Sequence, residues 1–317
     1  MEWFTECKVL PGIGEGGKTA VDISLASIGH NMALVAYHYG THSPMERWAI
    51  LSLTKRGTIK TQSIAGPPNP HGVFGMQLCR VGEVVVAYGG SVSSDGRRRG
   101  GPACYMAVYY IDTDRWQRLP YKDGECPEPR RYPLVFSVGD SLVVAGGWVE
   151  RKANPQDTWV WSLETRLWTQ VGDCPADLHN TGATHGTSHH IYTRCNHYVY
   201  SGTKKEWSEE RGHVANGIYP NSFLHTPLYG ECQLLATRLS KGFGKGRQRV
   251  VILIRDSVSL DRTTLEYLPL SDYQYSSLGQ CVTAWFNPCT LLVVGSEMIC
   301  IVEVDASAVR PYVLFEP

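Results

Sequence analysis

A double glycine at the end of a short apolar run recurs along the chain and constrains its fold more than any other feature. Residues 82–90 read GEVVVAYGG and residues 139–147 read GDSLVVAGG, a spacing of 57 residues. A short continuous apolar run bounded by turn residues is typical of a strand that is buried on both faces. Repetition of such a run at a fixed spacing predicts an architecture in which each unit packs on the next.

Two aromatic residues separated by seven positions follow each double glycine, and a third aromatic pair occurs without the glycines. Paired glycines allow a turn with positive φ and a close approach of the neighbouring unit. Large rigid aromatic rings on neighbouring outer strands fill the space between adjacent sheets. We therefore interpret the following residues as a structural signature: Gly89, Gly90, Tyr109, Trp116, Gly146, Gly147, Trp161, Trp168, Tyr200 and Trp207.

This order of apolar run, double glycine, spacer, aromatic residue and tryptophan resembles the kelch repeat. Each kelch repeat forms one four-stranded blade of a β-propeller, so the resemblance implies an all-β fold and a single kelch-like β-propeller. Weaker copies, such as residues 32–40 and 290–296, extend the pattern. Six blades are predicted, near residues 21–65, 71–120, 129–173, 178–210, 214–268 and 274–316 of the 317.

Residues 1–20 are predicted to hold a closing strand and a glycine-rich connection. The segment 3–11 is similar to the end of a repeat, as in Trp116–Pro120. We expect it to add an outer strand to the last blade and to close the ring against residues near 309–315. Closure removes sheet edges that otherwise aggregate, and it predicts a single monomeric domain.

The charge and cysteine content predict a cytoplasmic protein. The 30 basic and 30 acidic residues balance, which argues against a nucleic-acid binder. No apolar run approaches the ~18 residues of a membrane helix, so no membrane partner is expected. The N-terminal residues 1–7 do not have the pattern of a signal peptide. Ten cysteines occur without a Cys-x-x-Cys pair, which favours reduced thiols.

Basic residues are concentrated in the loops that follow the second strand of a blade, and these loops all emerge on one face of a propeller. The residues are Arg97, Arg98, Arg99, Arg151, Lys152, Lys241, Lys245 and Arg247. A positively charged surface attracts acidic partners. We therefore predict a non-catalytic protein-interaction or scaffold module. Its expected partner is a protein, and an acidic protein surface would suit the basic loops. No catalytic residue, metal or cofactor is predicted.

A phosphate-binding pattern at Gly12–Thr19 is the first alternative. It satisfies G-x-x-x-x-G-K-[ST], in which Lys18 would contact a nucleotide phosphate. A P-loop requires a strand before the motif and a helix after it. Pro11 ends the preceding segment and residues 20–28 favour a strand, so we predict that Lys18 does not bind nucleotide.

A histidine cluster and the central channel supply two further alternatives. The cluster contains His179, His185, His189, His190, His197 and the nearby Cys195. A zinc or copper site needs three or four converging ligands. A turn over residues 193–196 interrupts the register, so we favour polar packing over a metal site. An enzyme or carbohydrate-binding site at the mouth of the channel stays open, and no residue spacing selects it.

Overall fold

The structure is a computed structural model that describes residues 4–11, 20, 22–39, 46–68, 73–92, 106–120, 125–128, 130–149, 154–175, 183–185, 187–192, 197–210, 218–225, 232–239, 249–256, 263–267, 281–287, 289–295 and 297–304. Within these ranges all regular secondary structure is β-strand, and no helix occurs. The described residues accordingly include no helix that is long and apolar enough to cross a membrane. The prediction of an all-β fold is confirmed.

The strands pair into six four-stranded sheets, which we number in chain order. Sheet 1 contains β2 (Asp22–Gly29), β3 (Met32–His38), β4 (Glu46–Leu53) and β5 (Ile59–Ile64). Sheet 2 contains β6 (Val73–Val81), β7 (Val84–Val92), β8 (Met106–Tyr110) and β9 (Arg115–Arg118). Sheet 3 contains β10 (Leu134–Val138), β11 (Ser141–Ala145), β12 (Asp157–Ser162) and β13 (Trp168–Asp173). Sheet 4 contains β14 (Ala183–His185), β15 (Ser188–Tyr192), β16 (His197–Ser201) and β17 (Glu206–Glu210). Sheet 5 contains β18 (Ile218–His225), β19 (Cys232–Leu239), β20 (Arg249–Asp256) and β21 (Thr263–Tyr267). Sheet 6 contains β22 (Cys281–Asn287), β23 (Thr290–Gly295), β24 (Met298–Val304) and β1 (Phe4–Pro11).

The first strand of each sheet contacts the first strand of the next sheet. These contacts join β2 to β6, β6 to β10, β10 to β14, β14 to β18, β18 to β22, and β22 to β2. In sheets 1 to 5 each following strand pairs antiparallel with the one before it, in chain order. The first strands are therefore the innermost strands, and the fourth strands are the outermost.

Sheet 6 combines the two ends of the chain. Strand β1 pairs antiparallel with β24, with Cys7 opposite Val302 and Leu10 opposite Ile299. The prediction that residues near 309–315 are the partner of this segment is wrong, because β24 ends at Val304. Strands β22, β23 and β24 already supply three strands before that point, so β1 occupies the fourth place beside β24.

The core lies between neighbouring sheets. Strand β3 is buried from Ala33 to its end, and all six residues of β23 are buried. Strands with both faces covered are continuous apolar runs, which is why the runs were visible in the sequence. The outermost strands β5 and β13 contain only exposed and half-buried residues.

The signature tryptophans pack against the preceding sheet. Trp116 of sheet 2 contacts Trp48 of sheet 1, with ring centroids 5.0 Å apart. Trp168 of sheet 3 contacts Tyr88 of sheet 2 at 5.5 Å. Trp207 of sheet 4 donates its indole N–H to a threonine of sheet 3. Each tryptophan therefore joins two sheets whose strands do not pair with each other.

The double glycines of sheets 2 and 3 allow the connector between these two sheets to lie close to their backbones. Gly89 has φ of +80°, and a Cβ atom there would lie 2.8 Å from the carbonyl oxygen of Arg130. Gly147 has φ of +99°, and its Cβ would lie 3.0 Å from the carbonyl oxygen of Arg131. Side chains are excluded at both positions by backbone conformation and by space.

Candidate protein-interaction surface

The predicted basic surface cannot be located, because all eight of its residues lie outside the described residues. They are Arg97, Arg98, Arg99, Arg151, Lys152, Lys241, Lys245 and Arg247. The ends of the flanking strands are described, and β7 ends at Val92 where the first of these loops begins. The basic surface stays a prediction.

An exposed tryptophan lies at the same end of sheet 3, directly after its double glycine. Trp148 and Arg131 exchange two backbone hydrogen bonds, of 2.9 Å and 2.8 Å. The guanidinium carbon of Arg131 lies 4.6 Å from the centre of the Trp148 ring. Trp148 is nevertheless 41% exposed, whereas Trp48 and Trp161 are 4% and 1% exposed. The backbone bridge holds this pair in place and leaves the ring accessible.

Tyr132 extends the exposed aromatic surface. It is 40% exposed, and its φ of 47° is rare for a residue with a side chain. Its N–H donates to the carbonyl of Gly75 at 2.9 Å. The N–H of Gly75 in turn donates to Oδ2 of Asp22 at 2.7 Å. These bonds tie the beginnings of β2, β6 and β10 together. We call Arg131, Tyr132 and Trp148 the Trp148 cluster.

The carboxyl group beside this cluster has an altered affinity for protons. Burial raises the pKa of Asp22 to about 6 from its ordinary 3.8, and the Gly75 N–H opposes that rise. Burial also raises the pKa of the Tyr132 phenol, and the charge on Asp22 adds to the increase. Asp22 and Tyr132 are both hydrogen-bonded to the backbone of Gly75, which places the two residues near each other. An acid with a pKa near neutrality is a recognised marker of functional sites.

A buried ion pair supports the connector that carries the cluster. Arg130 is 1% exposed and donates to both carboxylate oxygens of Asp157, at 2.5 Å and 3.0 Å. It also donates to the carbonyl oxygen of Gly146 at 3.0 Å. Burial alone would raise the pKa of Asp157, but the hydrogen bonds from Arg130 hold that pKa below its ordinary value. The neighbouring Arg131 is thereby presented outward while Arg130 is fixed inward.

The Trp148 cluster lies on the face that the sequence predicted for recognition. Trp148 belongs to the loop after the second strand of sheet 3, and Arg131 and Tyr132 belong to the connector before its first strand. Connectors between sheets and loops after second strands emerge at the same ends of antiparallel sheets. We call this side the entry face. Exposed Trp, Tyr and Arg side chains on rigid backbone are the residue types that dominate binding energy at protein interfaces.

Two members of the predicted histidine cluster, His189 and His190, have described side chains, and both lie in strand β15 of sheet 4. His189 is 3% exposed and stacks on Phe136, with centroids 3.6 Å apart. Burial lowers the pKa of His189 well below its ordinary value, which favours the neutral ring. His179 and Cys195 lie outside the described residues, as do the side chains of His185 and His197. No group of three or more potential metal ligands occurs among the described residues.

The Gly12–Thr19 motif, with Lys18, also lies outside the described residues. The segment that follows it is strand β2, which begins at Asp22. A P-loop places a helix there, because the helix N-terminus contributes to phosphate binding. The structure therefore does not supply the element that the nucleotide-binding alternative requires.

Three groups of residues at or beside this surface escaped the sequence analysis. Arg130 and Asp157 are 27 residues apart, and no local pattern connects them. Asp22 contacts a residue of another sheet, so its burial has no sequence signal. Trp148 directly follows Gly147, beyond the end of β11 at Ala145, so its place after the double glycine was a usable signal.

Comparison with known proteins identifies the class of fold. The family model described as Kelch motif matches residues 129–175, which include sheet 3 and the whole Trp148 cluster. The solved structure of YjhT, a kelch-type propeller, superposes with a TM-score of 0.60. The alignment covers 91% of this chain and 94% of that chain at 11% sequence identity. The fold is that of a kelch-type β-propeller, and the predicted resemblance to the kelch-repeat family is confirmed.

The comparisons define the fold more sharply than the function. No curated protein matches the sequence. At 11% identity the likeness to YjhT concerns the fold alone. Because 450 solved chains match, and one fold serves many functions, the fold does not select an activity.

Proposed function

We propose that the chain is a protein-interaction module whose six sheets are the blades of one closed ring. The contacts between successive first strands, including β22 with β2, support the ring. The pairing of β1 with β24 supports its closure by the two chain ends. A rigid ring presents loops at fixed positions, and such loops carry recognition in repeat proteins. On this proposal no residue of the chain performs chemistry, and no cofactor is required.

The exposure of Trp148 is the observation that carries the proposal. Its backbone is fixed by two hydrogen bonds to Arg131, so little conformational freedom is lost when a partner covers the ring. Burying an exposed aromatic ring contributes about 1.5–3 kcal/mol from area alone. The stacked Arg131 adds a charge that pairs with a carboxylate of the partner.

The proposed partner is a protein with an acidic surface around an apolar pocket for Trp148. Arg131 supplies one positive charge on the entry face, and the predicted basic loops emerge on the same face. Electrostatic complementarity of this kind accelerates association and weakens at high ionic strength. We further propose that the chain acts as a monomer in the cytoplasm.

Affinity capture with matched variants tests the proposal. Wild type, Trp148→Ala and Met32→Ala are used as baits in lysate from the native cells. Met32 is a matched control because it is 36% exposed and begins β3 after the turn from β2, at the end of sheet 1 opposite the entry face. The captured proteins are identified by mass spectrometry, and each candidate is then purified and titrated against all three baits.

The proposal expects a partner whose binding is lost with Trp148→Ala and kept with Met32→Ala. A triple variant, Arg97→Glu with Arg98→Glu and Arg99→Glu, should slow the association of that partner mainly at low salt. If Trp148→Ala and wild type bind every purified candidate equally well, the Trp148 cluster is not the recognition site.

A small-molecule site at the beginnings of the innermost strands is the second candidate function. The raised pKa of Asp22 and the adjacent Tyr132 phenol favour it, because a titratable pair at a channel mouth suits binding of a polar molecule. A panel of monosaccharides is screened by thermal shift on wild type and Asp22→Asn. A stabilisation seen in wild type and absent in Asp22→Asn, with protein capture unaffected, would favour this candidate over the first.

A further inference from the structure

Three junctions between sheets have the same construction. In each, a pair of opposite residues on the second and third strands of one sheet faces the signature tryptophan of the next sheet. The pairs are Ala36–Trp48 facing Trp116, Tyr88–Met106 facing Trp168, and Ala145–Thr158 facing Trp207. These equivalent positions permit a direct comparison of how each junction is filled.

The junction between sheets 1 and 2 is closed by two tryptophans. Trp48 is 4% exposed and meets Trp116 edge to face. In the junction between sheets 2 and 3, Met106 occupies the place of Trp48. A cavity of ≈ 190 Å³ lies there, lined among others by Tyr88, Met106, Leu119, Trp161 and Trp168. Met106 therefore leaves space in this junction that Trp48 fills in the junction between sheets 1 and 2.

The cavity has an apolar body and one basic end. Arg166 lines it beside the exposed Leu167. The guanidinium carbon of Arg166 lies 5.3 Å from the centre of the Trp161 ring. Its Nη2 donates to the hydroxyl of Tyr110 at 3.2 Å. Among the described residues no carboxylate forms an ion pair with Arg166.

The lining also contains one acidic residue, Glu125, which lies in the connector before β10. Because like charges repel and opposite charges attract, a carboxylate in the cavity is favoured at Arg166 and disfavoured at Glu125.

Sheets 2, 3 and 4 have a turn residue with positive φ at the same place before the signature tryptophan, and only its side chain differs. Asp114, Arg166 and Lys205 each stand two residues before a signature tryptophan and have φ of 51°, 61° and 57°. In sheet 2 the Tyr109 hydroxyl donates to Asp114 at 2.6 Å. Sheet 3 has Trp161 at the place of Tyr109, and Arg166 stacks on it instead. Sheet 3 therefore combines a cavity with a positive charge at its mouth.

We propose that the cavity between sheets 2 and 3 binds a carboxylate that carries an apolar group of about single-ring size. The apolar group occupies the space beside Tyr88, Met106 and Trp168, and the carboxylate pairs with Arg166. Cavities of about 150 Å³ with apolar linings accept benzene, so one ring fits the space. A guanidinium forms the charge-assisted hydrogen bonds that select a carboxylate over a neutral group. This site is separate from the Trp148 cluster and does not depend on the proposed function.

Phenylacetate, phenylacetamide and phenethylamine are the probes that test the assignment. They present the same ring with a negative, a neutral and a positive end. Binding is measured by saturation-transfer NMR and by quenching of tryptophan fluorescence. For a ligand of about ten non-hydrogen atoms, the affinity expected for phenylacetate is on the order of 1–10 mM. Phenylacetamide should bind at least about tenfold more weakly, and phenethylamine more weakly still.

Two variants and one control identify the site. Arg166→Gln should weaken phenylacetate binding at least about tenfold, to the level of phenylacetamide. Lys205→Gln, at the matching turn position of sheet 4, should leave binding unchanged. Met106→Trp introduces the residue that closes the first junction and should abolish binding of all three probes. The melting temperature of Met106→Trp shows whether this variant folds. If it does not fold, the comparison of Arg166→Gln with wild type tests the proposed site alone.

A short glycine peptide that ends in phenylalanine separates two sources of the same chemistry. If this peptide binds more tightly than phenylacetate, the natural ligand is the C-terminus of a protein chain. If it binds more weakly, the natural ligand is a small free carboxylate. The proposal is overturned if phenylacetate shows no saturable binding up to about 30 mM, well above the expected range. It is equally overturned if Arg166→Gln binds as well as wild type, or if the neutral amide binds as well as the acid.

Discussion

The double-glycine turns of sheets 2 and 3 serve one backbone role in two different surroundings. Gly90 donates its N–H to the carbonyl of Arg130 at 2.9 Å, and Trp148 donates to the carbonyl of Arg131 at 2.8 Å. The two turns thus bind consecutive carbonyl groups of a single connector. In sheet 3, however, the residue after the glycines is an exposed tryptophan. The glycines therefore have the same structural role in both turns, and the residue after them is where the two turns differ in sequence.

Arg130 connects the two turns. Its carbonyl accepts the hydrogen bond from the turn of sheet 2, and its guanidinium donates to Gly146 in the turn of sheet 3. The same guanidinium binds Asp157, which carries a side chain only 22% exposed. Removing one partner of a buried ion pair leaves the other charge uncompensated. A substitution at Arg130 should therefore disturb both turns at once.

Arg130→Ala should produce the largest loss of stability. We expect the free energy of unfolding to fall by about 3–5 kcal/mol, because Asp157 stays buried without its cation. Urea denaturation followed by tryptophan fluorescence measures the change. Arg131→Ala is the matched control and should cost less than about 1 kcal/mol, since it loses only a partly exposed stacking contact. Equal losses in the two variants would show that Arg130 does not connect the turns.

Gly89→Val should cause the second-largest loss of stability. Its comparison with Gly146→Val shows whether the two turns have the same steric requirement. A β-branched residue at φ of +80° is strained, and its Cβ meets the Arg130 carbonyl, so we expect a cost of about 3 kcal/mol. Gly146→Val has the strain of φ +58° but nothing within 3.7 Å, so its cost should be about 1–2 kcal/mol. Chemical denaturation of both variants checks the order. A larger loss for Gly146→Val would mean that close approach is not what the sheet 2 turn requires.

The fold was predictable from the sequence where the signals are local. The paired glycines, the apolar runs and the spacing from Tyr109 to Trp116 are each set within one sheet, and they indicate its strands directly. The exposure of Trp148 is set by a bridge to Arg131, which precedes it by 17 residues and two strands. The environment of Asp22 depends on Gly75 of another sheet. Such positions have no periodicity, and only the assembled sheets bring them together.

Asp22→Asn extends the comparison to sheet 1 and should have a smaller, pH-dependent effect. Because the folded-state pKa of about 6 exceeds the ordinary 3.8, the folded protein binds a proton more tightly than the unfolded chain. The free energy of unfolding should therefore fall as the pH rises from about 4 to 6 and stay constant above that range. The substitution removes this decrease and keeps an acceptor for the Gly75 N–H, so the variant should exceed wild type by at most about 3 kcal/mol at pH 7.

Unfolding titrations at several pH values between 4 and 7 measure this effect. Asp140→Asn is the control, because Asp140 is exposed in the turn between β10 and β11. It should leave the pH profile of wild type unchanged. If the free energy of unfolding of Asp22→Asn still falls between pH 4 and 6, a group other than Asp22 causes the pH dependence.

Trp148→Ala should have the smallest effect on stability and the largest effect on binding. The ring is 41% exposed and its backbone bridge survives truncation, so we expect the free energy of unfolding to change by less than about 1 kcal/mol. The urea midpoint of this variant should coincide with that of wild type within that margin. A larger shift would show that the ring supports the turn instead of presenting a surface.

The affinity of the purified partner for wild type and for Trp148→Ala tests the central claim most directly. Truncation of a rigid aromatic anchor at an interface costs about 2 kcal/mol or more, so Kd should rise at least about thirtyfold. The unfolding midpoint is measured on the same samples. A thirtyfold weaker complex with an unchanged midpoint is the result predicted for a recognition residue on a structural repeat. An unchanged Kd would contradict the assignment of the entry face as the binding surface.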